Sequence, residues 1–187
     1  NWGSANRILM NRTVETAIVE NGCDSIITEG LAYDRCQVGI LTNVEAERHF
    51  GRHDLSTAEQ LFNVFRTQVD VVLPGGAAVL DASQPMLVDM AALCDGEVIF
   101  FATDAALPAV VEHRARGGRA VFVRAGEVVL GSSEQETAIT SLRAIPLTDG
   151  GRIASQVDNV LAAAAAAWAL GIGSEIIRTA LETAANG

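Results

Sequence analysis

The run Glu97-Val98-Ile99-Phe100-Phe101-Ala102, the stretch Ala106 to Arg116 closing on Gly117-Gly118, and then Arg119-Ala120-Val121-Phe122-Val123 decide the fold. Two unbroken apolar runs of strand length flank a segment of helix length. A strand that is apolar on both faces needs cover on both, and parallel sheets receive it from their crossover helices. The glycine pair stops the helix, as glycine often does just past a helix end. The unit therefore reads as strand, helix, parallel strand.

Working outward, further strands are expected at Thr16 to Glu20, Val38 to Thr42 and Ala77 to Leu80. Glu127 to Leu130 follows the turn Arg124-Ala125-Gly126 and should pair back as a hairpin. Helices fill the gaps. Ser56 to Val72 opens on a serine with Glu59 three residues on, a capping box, and ends before Pro74-Gly75-Gly76. Pro85 to Leu93 starts with proline at the first helical position. Gln156 to Leu170 and Ser174 to Ala185 form an αα-hairpin around Gly171-Ile172-Gly173, with Ser174 as N-cap. Between Gly131 and Gly151 the periodicity is weak, which suits a loop or short edge element. The expected fold is α/β: one three-layer domain over residues 1–187, a mostly parallel sheet with helices on both faces and a C-terminal helical pair.

Composition narrows the function. With 187 residues and 49% hydrophobic content the chain can bury a core without staples. No apolar run reaches the roughly 18 residues of a membrane span, and Asn1-Trp2-Gly3-Ser4-Ala5-Asn6 lacks the basic flank and apolar stretch of a signal peptide. A cytoplasmic protein with no membrane partner is expected. Cys23, Cys36 and Cys94 are widely spaced, with no C-x-x-C pair, and read as small buried apolar residues. A net charge of −10 argues against nucleic acid, whose phosphates need clustered positive charge. All 13 basic residues are arginine, and there is no lysine. A P-loop needs the lysine of G-x-x-x-x-G-K-[ST], so that element is absent from these residues. No G-x-G-x-x-G follows a strand either, which excludes a dinucleotide-binding module.

Ligands of open α/β sheets sit outside the carboxyl ends of the strands. Glu20 closes the first expected strand, and His49 stands just beyond the second, followed by Phe50-Gly51. A carboxylate and an imidazole there could hold a hard divalent cation on a nucleotide phosphate. The plainer alternative is that both are solvated, with His53 four residues from His49.

Longer strings carry a resemblance. Gly30-Leu31-Ala32-Tyr33-Asp34-Arg35-Cys36-Gln37-Val38-Gly39, with Val19-Glu20-Asn21 before it and Thr42-Asn43-Val44 after it, resembles the Mur-ligase-like half of the cyanophycin synthetases. So do Leu73-Pro74-Gly75-Gly76-Ala77-Ala78-Val79-Leu80, Cys94-Asp95-Gly96-Glu97-Val98-Ile99-Phe100-Phe101, and Gly150-Gly151-Arg152-Ile153-Ala154-Ser155-Gln156-Val157-Asp158-Asn159-Val160-Leu161 with its alanines and Trp168.

The resemblance implies a Mur ligase central-domain fold and an ATP-dependent amide ligase that joins arginine to the aspartate side chains of a poly-aspartate backbone, making cyanophycin. It implies ATP and Mg2+ as cofactors, and a homo-oligomer. By the same likeness Glu20 and His49 are the expected magnesium residues, His49 also catalytic, and Asn159 and Asp81 are the expected nucleotide-binding residues. Asn159 has a plainer reading as a helix N-cap, and Trp168 as core. The phosphate loop, the ATP-grasp half and the C-terminal domain are expected outside these residues, so that the chain alone should be inactive.

Arg48 stands where the family carries an acidic residue, and Asp81-Ala82-Ser83-Gln84-Pro85 where it reads Asn-Ala-Asp-Asp-Pro. Asn63 lies near the position of the modified lysine of many Mur ligases. Arg48 and Asp81 favour the alternative of a non-catalytic scaffold or oligomerisation domain.

Overall fold

The computed structural model describes residues 2–184. Six strands form one sheet in sequence order: β1 (Cys36–Leu41), β2 (Val72–Asp81), β3 (Glu97–Ala102), β4 (Arg119–Arg124), β5 (Glu127–Ser132) and β6 (Gln135–Ser141). β1 to β4 are parallel, and β5 and β6 continue the sheet antiparallel. Each parallel crossover steps one strand in the same direction, so right-handed connections put their helices on a single face. These helices are α3 (Ala46–His49), α4 (Ala58–Phe65), α5 (Thr67–Asp70), α6 (Pro85–Met90) and α7 (Pro108–Ala115). They follow α1 (Trp2–Leu9) and α2 (Cys23–Glu29) and precede α8 (Ala154–Ala169) and α9 (Ser174–Thr183), which cover the other face.

The two cores follow the strand period of two. Ala78, Leu80, Phe100, Ala102, Ala120 and Phe122 point to Leu61, Phe65, Leu87, Met90 and Val110 of the crossover helices. Their neighbours Ala77, Val79, Ile99, Phe101 and Val121 point to Val157, Leu161, Ala164, Ala165, Ile177 and Leu181 of the C-terminal pair. The alanines of α8 are small, which suits a long helix lying close against β2, β3 and β4.

Four expectations are corrected. Thr16 to Glu20 forms no strand; the run is irregular, Ile18 is 93% exposed, and no partner strand satisfies its backbone. Strand-forming composition is insufficient without a ladder neighbour. The helix expected over Ser56 to Val72 starts at Ala58, where Thr57 is the N-cap and Gln60, not Glu59, completes the capping box. It breaks at Arg66, and Val72 already belongs to β2. Between Gly131 and Gly151 the edge element is a full strand, β6, followed by two short 3₁₀ turns. The N-cap of α9 is Gly173, so Ser174 is its first helical residue, and Ala185 lies outside the described residues.

The amino end of the sheet is packed backbone to backbone. β2 carries extra residues at Leu73-Pro74-Gly75-Gly76, where its register with β1 shifts between Cys36 and Val38. A Cβ on Gly76 would stand 2.3 Å from the Gln37 carbonyl oxygen, and one on Gly96 would stand 2.4 Å from that of Gly76. Only glycine permits this approach. Cys23 is buried and Cys36 and Cys94 half-buried, all three free, as expected of small apolar residues.

Candidate functional site

The carboxyl ends of β1, β2 and β3 open onto one rim, and each is followed by a polar turn. After β1, the Asn43 side-chain amide donates to Glu45 Oε1 at 3.0 Å. At the end of β2, Asp81 is 6% exposed, and its Oδ1 accepts from the Ser83 amide at 2.8 Å. Gln84 ties the two turns together by accepting from the Val44 amide at 2.9 Å. After β3, Asp104 Oδ1 accepts from the Ala106 amide at 2.8 Å, ahead of α7. Such Asx turns fix the chain as it leaves a strand.

α8 runs antiparallel to these strands, so its first turns reach the rim while Trp168 lies at the opposite edge against Arg119. Asp158, in its second turn, has its carboxyl pushed above the usual range, first by burial and then by the charge of Asp81. Asn159 is the next residue and exposed, well inside the helix. The N-cap position belongs to Ile153, which corrects the capping alternative for Asn159. Asp158 therefore feels the charge of Asp81 at the end of β2, whereas Asn159 is exposed beside it on α8. Asp158 was legible only as a neighbour of Asn159; nothing in the spacing shows which residues of α8 face Asp81.

His49 ends α3 on another part of the rim. Its ring meets Phe65 edge-on, with centroids 5.6 Å apart. It lines a cleft of about 640 Å³ whose walls are Gly22 to Ser25 on one side and Arg48, His49 and Arg52 on the other. Glu20, Asp81 and Asn159 are not among the lining residues. Glu20 is exposed, two residues before that wall. The segment is pinned by Asn21, whose side-chain amide donates to the Tyr33 hydroxyl at 2.8 Å and to Gln68 Oε1 at 3.3 Å. Burial raises the Tyr33 phenol despite that bond. Trp168 packs half-buried against the α8–α9 core, with the Arg119 guanidinium 4.7 Å from its ring centroid.

Among the described residues no group of three or more His, Cys, Asp or Glu side chains is placed to hold a metal ion. Magnesium keeps several waters and often takes only one or two protein carboxylates beside substrate phosphates, so a sparse donor set suits it better than zinc. No helix among the described residues is long and apolar enough to cross a membrane.

The architecture is that of the Mur-ligase-like α/β domains. It superposes on the UDP-N-acetylmuramate:L-alanyl-gamma-D-glutamyl-meso-diaminopimelate ligase of Neisseria meningitides with a TM-score of 0.52 at 20% identity, over 79% of this chain and 40% of that one. A murein peptide ligase of Psychrobacter arcticus gives 0.50 at 15% identity, over 81% and 28%.

In sequence the chain is a cyanophycin-synthetase-like segment of this class. It is 35% identical to the cyanophycin synthetase of a Synechocystis species over 180 residues, 96% of this chain. It is 34% identical to that of Geminocystis herdmanii over 175 residues, 94% of the chain. It spans 20% of the length of each of these relatives. No family model matches.

Proposed function

We propose that this chain is part of the central domain of an ATP-dependent amide ligase of the cyanophycin synthetase type. The observation that carries the reading is 33–35% identity to cyanophycin synthetases along nearly the whole chain. In the reaction, an aspartate side-chain carboxylate of a poly-aspartate backbone takes the γ-phosphoryl group of ATP, giving an acyl phosphate and ADP. The α-amine of arginine then attacks the acyl carbon, loses a proton, and phosphate departs as the amide forms. Such chemistry is catalysed by positioning and charge neutralisation.

Each residue has a role in this reading. Magnesium would supply charge neutralisation between the phosphates and the carboxylate. Glu20 and His49 would hold it, which requires the segment before Asn21 to swing its exposed carboxylate toward His49. Asp81, at the end of β2, and Asn159, in the second turn of α8, would hold the nucleotide. The chain alone would lack the phosphate loop and would not turn over.

In the intact protein, Glu20→Ala should abolish arginine-dependent ATP hydrolysis while the circular dichroism spectrum is unchanged; undiminished hydrolysis removes Glu20 from the site. Arg48, whose charge adjoins His49, favours a second reading as a non-catalytic scaffold. An intact protein without any arginine-dependent hydrolysis would support that one.

A further inference from the structure

We infer that Arg48 and Arg52 form a clamp for the side-chain carboxylates of the acidic polymer, in the cleft between the start of α2 and the end of α3. The inference rests on the ligase reading above and deepens it. A chain of net charge −10 repels a poly-aspartate strand, so it can hold one only where positive charge is gathered locally. With no lysine, arginine is the only fixed side-chain cation it has.

The cleft gathers two such groups, each with a carboxylate already beside it. Its lining contains two guanidinium groups against the single carboxylate of Asp24, with Ser25 and His49 beside them, in a volume of about 640 Å³. Guanidinium forks match carboxylates in geometry as well as charge. Both pairs are exposed to solvent. Arg48 pairs with Glu45, three residues back, and its side chain is 75% exposed. Arg52 lies 3.6 Å from Asp24 with its side chain 67% exposed. Exposed pairs of this kind are worth little, so an incoming carboxylate can replace either partner at small cost.

Placement also counts. Arg48 adjoins His49, so a carboxylate held there stands beside the residue assigned to the reacting end. The substitution that looks like damage to a metal site becomes the contact that brings the acceptor chain to it. The competing account is that both arginines are merely solvated surface charges.

The test uses the 187-residue chain and ¹⁵N-resolved NMR, with tetra-aspartate and inorganic pyrophosphate as separate probes. Tetra-aspartate should shift the amides of residues 22–25 and 48–52, with binding that weakens as salt rises. Arg48→Gln and Arg52→Gln should each weaken it about threefold to fivefold, whereas Arg152→Gln, at an exposed arginine elsewhere, should not. Failure of tetra-aspartate to shift the cleft, or equal affinity in the variants, overturns the proposal. Pyrophosphate binding without tetra-aspartate binding also overturns it, marking a phosphate site instead. The ligase reading falls separately, if the intact protein shows no arginine-dependent hydrolysis while the chain still binds tetra-aspartate.

Discussion

Arg119 grips Glu97 with two guanidinium nitrogens, at 2.6 and 2.5 Å, joining the first residues of two adjacent parallel strands. The same guanidinium donates to the Trp168 carbonyl at 3.2 Å and lies over the Trp168 ring. One side chain therefore ties β3, β4 and the end of α8 at the edge of the sheet remote from the candidate site. Arg119→Ala should cost about 1–2 kcal/mol, from a partly buried ion pair and a cation–π contact. Arg119→Lys should recover less than half of it, since an ammonium cannot bridge both oxygens and stack at once. Urea unfolding of the two variants checks this.

The glycines at the same edge give a sharper contrast. Gly76→Ala and Gly96→Ala would each push a methyl group into a backbone carbonyl at under 2.5 Å. Each should destabilise by about 2–4 kcal/mol, because backbone in a paired sheet cannot give way as a side chain can. Gly75→Ala, with nothing within 4 Å of the added carbon, should stay within about 0.5 kcal/mol. Equal effects at Gly75 and Gly76 in thermal melts would refute the packing account.

These contacts show why parts of the fold were legible and others not. β3 matches the expected Glu97 to Ala102, because burial on both faces leaves an unbroken apolar run that glycines and a proline punctuate. β6 presents mostly exposed polar residues at the sheet edge, so it leaves little pattern to read. Thr16 to Glu20 has the composition of a strand but no neighbour, a fact that only three dimensions supply. The site divides the same way. Asp81 was legible only through the resemblance, whereas the facing of Asp158 depends on how α8 crosses the sheet. His49 was legible beyond a strand, whereas its cleft with residues 22–25 joins segments that sequence keeps apart.

Asp158 also makes a prediction. Its carboxyl is raised by burial and by Asp81, so the folded state holds its proton more tightly than the unfolded chain does. Stability from this group is present at low pH and lost as pH rises through the raised value. Asp158→Asn should therefore stabilise the chain at neutral pH by a few tenths of a kcal/mol, about what screening leaves to a half-buried carboxylate. The gain should vanish below the ordinary aspartate range. Chemical denaturation of both proteins at pH 7 and pH 3 measures it, and a neutral-pH loss would contradict the assigned repulsion.

His113 titrates in the opposite sense. Its ring lies edge-on to Phe100 at 4.9 Å, and Nε2 donates to the Val98 carbonyl at 3.0 Å. Burial lowers its pKa, although the Val98 and Arg119 carbonyls and the Glu97 charge act to raise it; Arg116 adds to the lowering. The folded state thus prefers the neutral ring, and the unfolded chain takes up the proton at higher pH. Stability should be level above the ordinary histidine value, near 6.5, and fall as the solution is acidified from there through the depressed folded value. The comparison is with His113→Gln, whose amide can keep the bond to Val98. Between pH 7.5 and pH 5 the wild-type chain should lose stability more steeply than the variant in urea titrations, and parallel slopes would show that the ring is not held neutral by its burial.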